Sequence, residues 1–310
     1  MRRRSTVVVL AVVTLAVGAS TAIQLGVFPS AHATGTTSTL PGIVTGFYLD
    51  IGASASLGIQ PDGVPGNNAK LTKTGYANDL VRLEGARGVQ LQLRHTGCAG
   101  ETAQSMLGPA TPTSGEKCYK LPQRQLLGAT QYLRAHNGQV GVVTIDLGSN
   151  DVRPCLNNQV VDVSCADQGI SYVRQDMPKV LKDLQDAAGP NVQFVGLEYC
   201  DPFLGDYLNG SSGQVQAAHT LTVMRHLNQT LGEVYKAAGM AVANVPGAFN
   251  IDNTSPVTMS NGKIVPENVA MACEKTWWCH GPPWGPDDHP DDAGYLLTAK
   301  AIVAALPGSL

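Results

Sequence analysis

Five short apolar runs that alternate with helical patterns restrict the fold of this chain more than any other feature. The runs cover 43–51, 89–93, 141–146, 192–197 and 240–245. Apolar residues recur at helical spacing over 75–87, 121–135, 171–188, 215–238 and 293–305. The segment 154–168 is expected to be a disulfide-pinned loop, and 248–286 is expected to be irregular. Strands that alternate with helices predict one parallel sheet covered on both faces, so the expected fold class is α/β. In such folds the carboxyl ends of the strands meet at one edge, where ligands bind.

The N-terminal residues have the pattern of an export signal. A basic Arg2–Arg4 segment precedes a mostly apolar stretch over 6–28, and Ala31–Ala33 supplies small residues at a cleavage site. We expect a signal peptide over 1–33 and then a single domain over 34–310, because no internal repeat or linker divides the rest. An uncleaved anchor helix is the alternative, since the apolar stretch is long enough to span a bilayer. The predicted localisation is secreted or cell-surface, with no integral membrane domain after cleavage.

Size and charge limit the possible partners. The chain has 310 residues, of which 43% are hydrophobic, and this is enough for a large core. Its formal net charge is −3 and no basic stripe is present, so nucleic acid is not an expected partner.

All seven cysteines lie after the predicted signal peptide. Cysteines in an exported chain favour disulfides. Short loops predict the pairs Cys155–Cys165 and Cys273–Cys279, and then Cys98–Cys118, which leaves Cys200 free. The spacing matches no CxxC-type zinc pattern, so no metal site is expected.

Small and polar residues follow three of the predicted strands. Ser54 comes after the first strand, Gly100 after the second and Asn150 after the third, while His289 precedes the last helix. Acyl transfer needs a nucleophile, a base within hydrogen-bond reach and donors aimed at the developing oxyanion. A serine, a histidine, a glycine N–H and an asparagine amide supply these parts.

These residues lie in blocks that resemble the SGNH hydrolase superfamily, also called GDSL esterases and lipases, over nearly all of the predicted mature chain. The blocks are Gly52–Gly58, Gly97–Thr102, Gly148–Asp151 and Asp287–Pro290, in the family's order. The third matches the family's Gly-x-Asn-Asp in full. The stretch Tyr199–Leu204 and the paired cysteines also resemble the exported actinobacterial branch. The resemblance implies a three-layer α/β/α sandwich with a five-stranded parallel, flavodoxin-like sheet.

The resemblance also implies a serine ester hydrolase that needs no cofactor. Ser54 is then the nucleophile and His289 the base. The N–H groups of Ser54 and Gly100 and the side-chain amide of Asn150 form the oxyanion hole. The expected substrate is a small-molecule, lipid or acetylated-glycan ester, and the expected state is a monomer.

Two positions depart from the family pattern. Ala53 stands where the family's Gly-Asp-Ser has its aspartate, and Pro286 stands where the family has its acid, three residues before the histidine. An acceptor must hold the second imidazole nitrogen. We favour the Asp287 carboxylate because it also stabilises the imidazolium, with the Pro286 carbonyl and the Asp288 carboxylate as alternatives.

Other functions stay open at this level. An acyltransferase uses the same acyl-enzyme with an alcohol acceptor, and the two departures allow a binding module without catalysis. His95 is expected to be structural. The carboxylates of Asp146 and Asp151 could form a glycosidase pair, but we favour roles in turns and helix caps for them. Three tryptophans near the last block line a pocket or pack within loops: Trp277, Trp278 and Trp284.

Overall fold

A computed structural model of the chain describes residues 44–64, 70–108, 118–119, 124–156 and 160–307. The strands in chain order are β1 (Val44–Gly52), β2 (Ile59–Gln60), β3 (Lys70–Leu71), β4 (Val89–His95), β5 (Val140–Asp146), β6 (Gln193–Leu197), β7 (Ala241–Ala243), β8 (Pro256–Thr258) and β9 (Ile264–Pro266). Five of them form a parallel sheet in the order β4-β1-β5-β6-β7. The other four form two short antiparallel hairpins, β2-β3 and β8-β9.

The strand β1 is the second strand of the sheet and lies between β4 and β5. It pairs in parallel with β4 and β5, so that Asp50 lies opposite His95 and Gly52 opposite Asp146. Leu49 is completely buried, as a strand covered on both faces requires. A side chain of this kind contributes roughly 1.5–3 kcal/mol through burial. The five predicted strands are confirmed within a few residues at each end.

Helices cover both faces of the sheet. They are α1 (Tyr76–Ala86), α2 (Ala103–Leu107), α3 (Gln125–Ala135), α4 (Ser149–Leu156), α5 (Val163–Ala187), α6 (Gly210–Ala237), α7 (Val245–Ala248), α8 (Glu267–Lys275) and α9 (Asp292–Ala305), with a 3₁₀ helix at Pro202–Asn209. On one face Leu49 shares a core with α3, α5 and α6. On the other face Tyr48 shares a core with α1 and α9. The predicted three-layer α/β/α fold is confirmed.

Some local predictions were wrong. The segment 154–168, expected to be a loop, contains the end of α4 and the start of α5. The helix α5 begins at Val163 because the Asp162 carboxylate accepts the Cys165 N–H at 2.9 Å and caps it. The segment 248–286, expected to be irregular, contains α8 and the hairpin β8-β9.

Disulfides join the three predicted cysteine pairs, Cys98–Cys118, Cys155–Cys165 and Cys273–Cys279. Cys200 is the free cysteine among those described.

The predicted signal peptide and its cleavage site lie outside the described residues, as does the lead-in to β1. All described residues fall within one compact unit. In this part of the chain, none of the helices is both long enough and apolar enough to cross a membrane.

Candidate active site

The turn after β1 is held by contacts from three neighbouring segments. The Ala53 N–H donates to the Asp146 carbonyl at 3.1 Å, and the Cys98 N–H donates to the Gly52 carbonyl at 2.9 Å. The Gln125 amide accepts from the Gly52 N–H at 2.7 Å and donates to its carbonyl at 2.9 Å. A Cβ on Gly52 would lie 2.7 Å from Asp146 atoms, so this position must be glycine. The turn that presents Ser54 is therefore fixed.

The two serines of this turn have different environments. Ser56 is fully buried, and its hydroxyl donates to the Ala53 carbonyl at 2.8 Å. Ser54 is partly exposed and lines a cavity of about 250 Å³. Within the described residues, the Ser54 hydroxyl has no hydrogen-bond partner. The geometry thus leaves Ser54 available for chemistry and uses Ser56 to hold the turn.

Three groups of donors line the same cavity. Within the described part of the chain, the N–H groups of Ser54 and Gly100 have no acceptor. Gly100 has a φ of +82°, a conformation that favours glycine. The Asn150 amide donates one hydrogen to the Glu101 carbonyl at 3.0 Å and keeps a second for a ligand. Asn150 lies in the first turn of α4, where the helix dipole also favours negative charge.

The Asp287 carboxylate holds the imidazole of His289. Its Oδ1 lies 2.8 Å from His289 Nδ1 and also accepts the His289 backbone N–H at 2.9 Å. Asp288 Oδ1 is farther from Nδ1, at 3.8 Å. No hydrogen bond joins the Pro286 carbonyl to the ring in the described residues. With its proton on Nδ1, the ring keeps Nε2 as an acceptor, and His289 lines the same cavity as Ser54.

Charges around the imidazole shift its pKa upward. Burial lowers the pKa of His289, but the hydrogen bond to Asp287 and the charges of Asp288 and Asp287 outweigh it, so the pKa of His289 is raised above its ordinary value. Burial likewise works to raise the pKa of Asp288, yet its bonds to Arg153 and the nearby His289 charge bring it below its ordinary value. Burial raises the pKa of Asp146 to about 6.

The last helix is fastened to the loop that follows Ser54. The Tyr295 hydroxyl donates to the Ile59 carbonyl at 2.8 Å. Asp292 Oδ1 accepts from the Gln60 amide at 2.7 Å and from the Thr74 hydroxyl at 2.6 Å. Because His289 directly precedes this helix, these contacts also set the position of the histidine loop.

The cavity walls are largely apolar. They include Val152 and Leu156 from α4, Phe203 and Met224 from the α6 side, and Leu197 at the end of β6. The three tryptophans are not among the residues described as lining it. Trp278 packs edge-on against Phe203 at 4.6 Å, and Trp277 stacks on Trp284. The described contacts of these tryptophans are therefore packing contacts with neighbouring aromatic rings.

The sequence prediction missed Arg153. Its guanidinium bonds both oxygens of Asp288, with Nη2 at 3.0 Å from Oδ1. The one available signal was its position three residues after Asn150, which places both on one face of a helix. Asp287, Asp288 and His289 also have potential metal-ligating atoms within 4.8 Å of one another. Their contacts with each other and with Arg153 account for this closeness without an ion.

No family model and no curated protein sequence matches the chain. Solved structures do match it. An extracellular lipase from Streptomyces rimosus is 18% identical with a TM-score of 0.54, covering 84% of this chain and 100% of that one. Phospholipase A1 from Streptomyces albidoflavus is 16% identical with a TM-score of 0.53, covering 84% and 99%. A GDSL-like lipase from Parabacteroides merdae is 16% identical with a TM-score of 0.51, covering 86% and 98%. At this identity the likeness establishes a shared fold, and it agrees with the resemblance noted in the sequence.

Proposed function

We propose that this chain is a secreted serine ester hydrolase of the SGNH type. One observation carries the proposal: a single cavity holds the Ser54 hydroxyl, the imidazole of His289 and the donors of Gly100 and Asn150. The Asp287 carboxylate completes a Ser-His-Asp triad through its contact with Nδ1. The three disulfides support an oxidising, extracellular location.

The reaction follows from this arrangement. His289 Nε2 takes the proton from Ser54 Oγ as that oxygen attacks the ester carbonyl carbon. The charge that develops on the carbonyl oxygen is stabilised by the N–H groups of Ser54 and Gly100 and by the Asn150 amide. Asp287 stabilises the imidazolium. Collapse of the intermediate expels the alcohol, which takes the proton from His289. Water then attacks the acyl-enzyme by the same route and releases the acid.

The walls of the cavity favour a lipid ester as the substrate. Val152, Leu156, Phe203 and Met224 offer an apolar surface that an acyl chain fills and an acetyl group does not. Two proteins of the same fold are described as an extracellular lipase and a phospholipase A1. We therefore favour an acylated lipid over an acetylated glycan as the substrate.

A fluorophosphonate probe tests the nucleophile directly. Wild-type protein should be labelled once, Ser54→Ala should lose both labelling and hydrolysis, and Ser56→Ala should keep labelling as the matched control. A series of p-nitrophenyl esters, from acetate upward, then tests the substrate class, and kcat/KM should rise beyond acetate. Labelling that persists in Ser54→Ala and is lost in Ser56→Ala would contradict the assignment. A folded wild-type protein that neither labels nor hydrolyses any ester would instead be a binding module.

A further inference from the structure

An ion pair joins the two segments that carry the candidate catalytic groups. Arg153 and Asp288 make two contacts, Nη2 to Oδ1 at 3.0 Å and Nε to Oδ2. Arg153 lies on α4, the helix of Asn150, whereas Asp288 lies beside His289. Both residues line the cavity. The pair therefore connects the oxyanion helix to the histidine loop across 135 residues of sequence.

Two carboxylates approach the same nitrogen of His289. Asp287 Oδ1 lies 2.8 Å from Nδ1, and Asp288 Oδ1 lies 3.8 Å from it. The Asp288 side chain is only 12% exposed, so water screens its charge poorly. A guanidinium that takes both oxygens offsets this charge and prevents Asp288 from turning toward the ring.

We propose that Arg153 is a positioning residue for the hydrolysis: by engaging Asp288 it keeps His289 bonded to Asp287 and offsets the second carboxylate charge beside the imidazole. The catalytic meaning of this inference rests on the proposed function. The effect on the imidazole can be measured without it.

The other titratable groups around the ring are acids that favour its protonation or groups that are neutral. Asp287 and Asp288 favour the imidazolium, and Arg153 opposes it. Asp146, at the end of β5, also interacts with the His289 charge. Burial raises the pKa of Cys200 to about 12 and holds the pKa of Tyr295 well above its ordinary value, so both are neutral in the working range. Arg153 is thus a cation whose charge opposes the effect of the acids Asp146, Asp287 and Asp288 on the ring.

The test is a cycle of Arg153→Met, Asp288→Asn and the double variant. The pKa of His289 is measured by NMR titration of its imidazole resonance, assigned by its loss in His289→Gln. The pH profile of kcat/KM is measured with a p-nitrophenyl ester. We expect Arg153→Met to raise the pKa of His289 by about one unit, which lowers kcat/KM about tenfold on the acid limb and much less on the alkaline plateau. Asp288→Asn should shift the limb to lower pH, and the double variant should lie close to wild type.

Controls keep the outcome decisive. Arg225→Met removes an exposed ion pair with Asp252 and should leave both readouts unchanged. Arg153→Lys keeps the charge but loses the two-point contact, so it should raise the pKa of His289 by a smaller amount. It replaces Arg153→Met in the test if that variant does not fold. An unchanged or lowered pKa of His289 in Arg153→Met or Arg153→Lys overturns the proposal. So does a double variant that keeps the full shift of Arg153→Met. If the wild type hydrolyses no ester, the NMR titration still decides this inference while the proposed function fails.

Discussion

Among the described residues, two hydrogen bonds between an aspartate and a histidine have nearly equal length. Asp50 Oδ2 lies 2.9 Å from His95 Nδ1 at the carboxyl edge of the sheet. Asp287 Oδ1 lies 2.8 Å from His289 Nδ1 in the loop before α9. Asp50 is fully buried and also accepts from the Tyr76 hydroxyl at 2.9 Å and the Thr144 hydroxyl at 3.0 Å.

The two pairs differ in what surrounds the histidine. His289 lines a cavity with the Ser54 hydroxyl, whereas His95 is not among the residues described as lining it. Asp50 is one centre of a closed hydrogen-bond network that ties β1 to α1 and β5. An acid–histidine contact of good length is therefore not enough to define a site. For His289 the difference is that, within the described residues, a serine hydroxyl and N–H groups without acceptors line the same cavity.

Replacing each aspartate by asparagine separates the two pairs most strongly. Asp287→Asn should lower kcat by up to about 10⁴-fold, because the amide favours the wrong tautomer of His289. Asp50→Asn should leave kcat within about tenfold but reduce the free energy of unfolding by about 1–3 kcal/mol, since it disturbs a buried acceptor. Steady-state kinetics and urea unfolding of both variants measure this.

A loss of less than about tenfold in Asp287→Asn would favour a Ser–His dyad oriented by the Pro286 carbonyl. If kcat fell strongly in Asp288→Asn but not in Asp287→Asn, the acid that orients His289 would be Asp288.

The oxyanion donor gives the next largest effect. Asn150→Ala should lower kcat by about 10²–10³ with a much smaller change in KM, the loss typical of one such donor. Asn209→Ala, which removes an exposed amide of the 3₁₀ helix, is the control and should behave as wild type. A near-normal kcat with a raised KM would assign Asn150 to substrate binding.

The comparison also shows what the sequence could and could not predict. The five sheet strands were predictable because each is a short apolar run, and Ser54, Gly100 and Asn150 were predictable because they follow strand ends. Arg153 was not, since its partner Asp288 lies 135 residues away and no periodicity records such a contact. The same applies to Gln125, whose amide holds Gly52 from 73 residues away. The start of α5 was missed because a polar cap and a disulfide replace the apolar pattern there.

Both His95 and His289 have a disulfide near them in sequence. The Cys98–Cys118 bridge, with a separation of 20 residues, follows His95, and the Cys273–Cys279 bridge, with a separation of 6, precedes His289. In the loop-entropy model their removal by paired Cys→Ser changes should reduce the free energy of unfolding by about 3 and about 2 kcal/mol. Guanidinium unfolding of the two double variants checks this. Equal losses, or a larger loss at Cys273–Cys279, would contradict it.

The pH dependence of stability is spread over several buried acids. Burial raises the pKa of Asp146 to about 6 and of Asp201 to about 7, and the pKa of Asp50 is raised as well. The folded protein therefore holds more protons than the unfolded chain between about pH 4 and 7, and its free energy of unfolding falls as the pH rises through this window. The raised pKa of His289 acts in the same direction.

We expect the free energy of unfolding to be about 4 kcal/mol lower at pH 8 than at pH 5, because Asp146 and Asp201 together contribute about three pKa units over this range. Denaturant unfolding at both values measures it, with Asp146→Asn expected to reduce the difference. Greater stability at pH 8 would show that these acids are paired in solution.

The bonds between α9 and the loop after Ser54 have a consequence for the newly made chain. Ribosomes release the N-terminal residues first, so Ser54 emerges long before Asp292 and Tyr295, which fasten its loop. A nascent or truncated chain that ends before His289 contains the candidate nucleophile Ser54 but neither the candidate base nor the α9 residues that anchor its turn. For the proposed hydrolase, competence thus begins only after α9 has been made, and fragments that stop earlier are inert toward the esters of the cell that makes them.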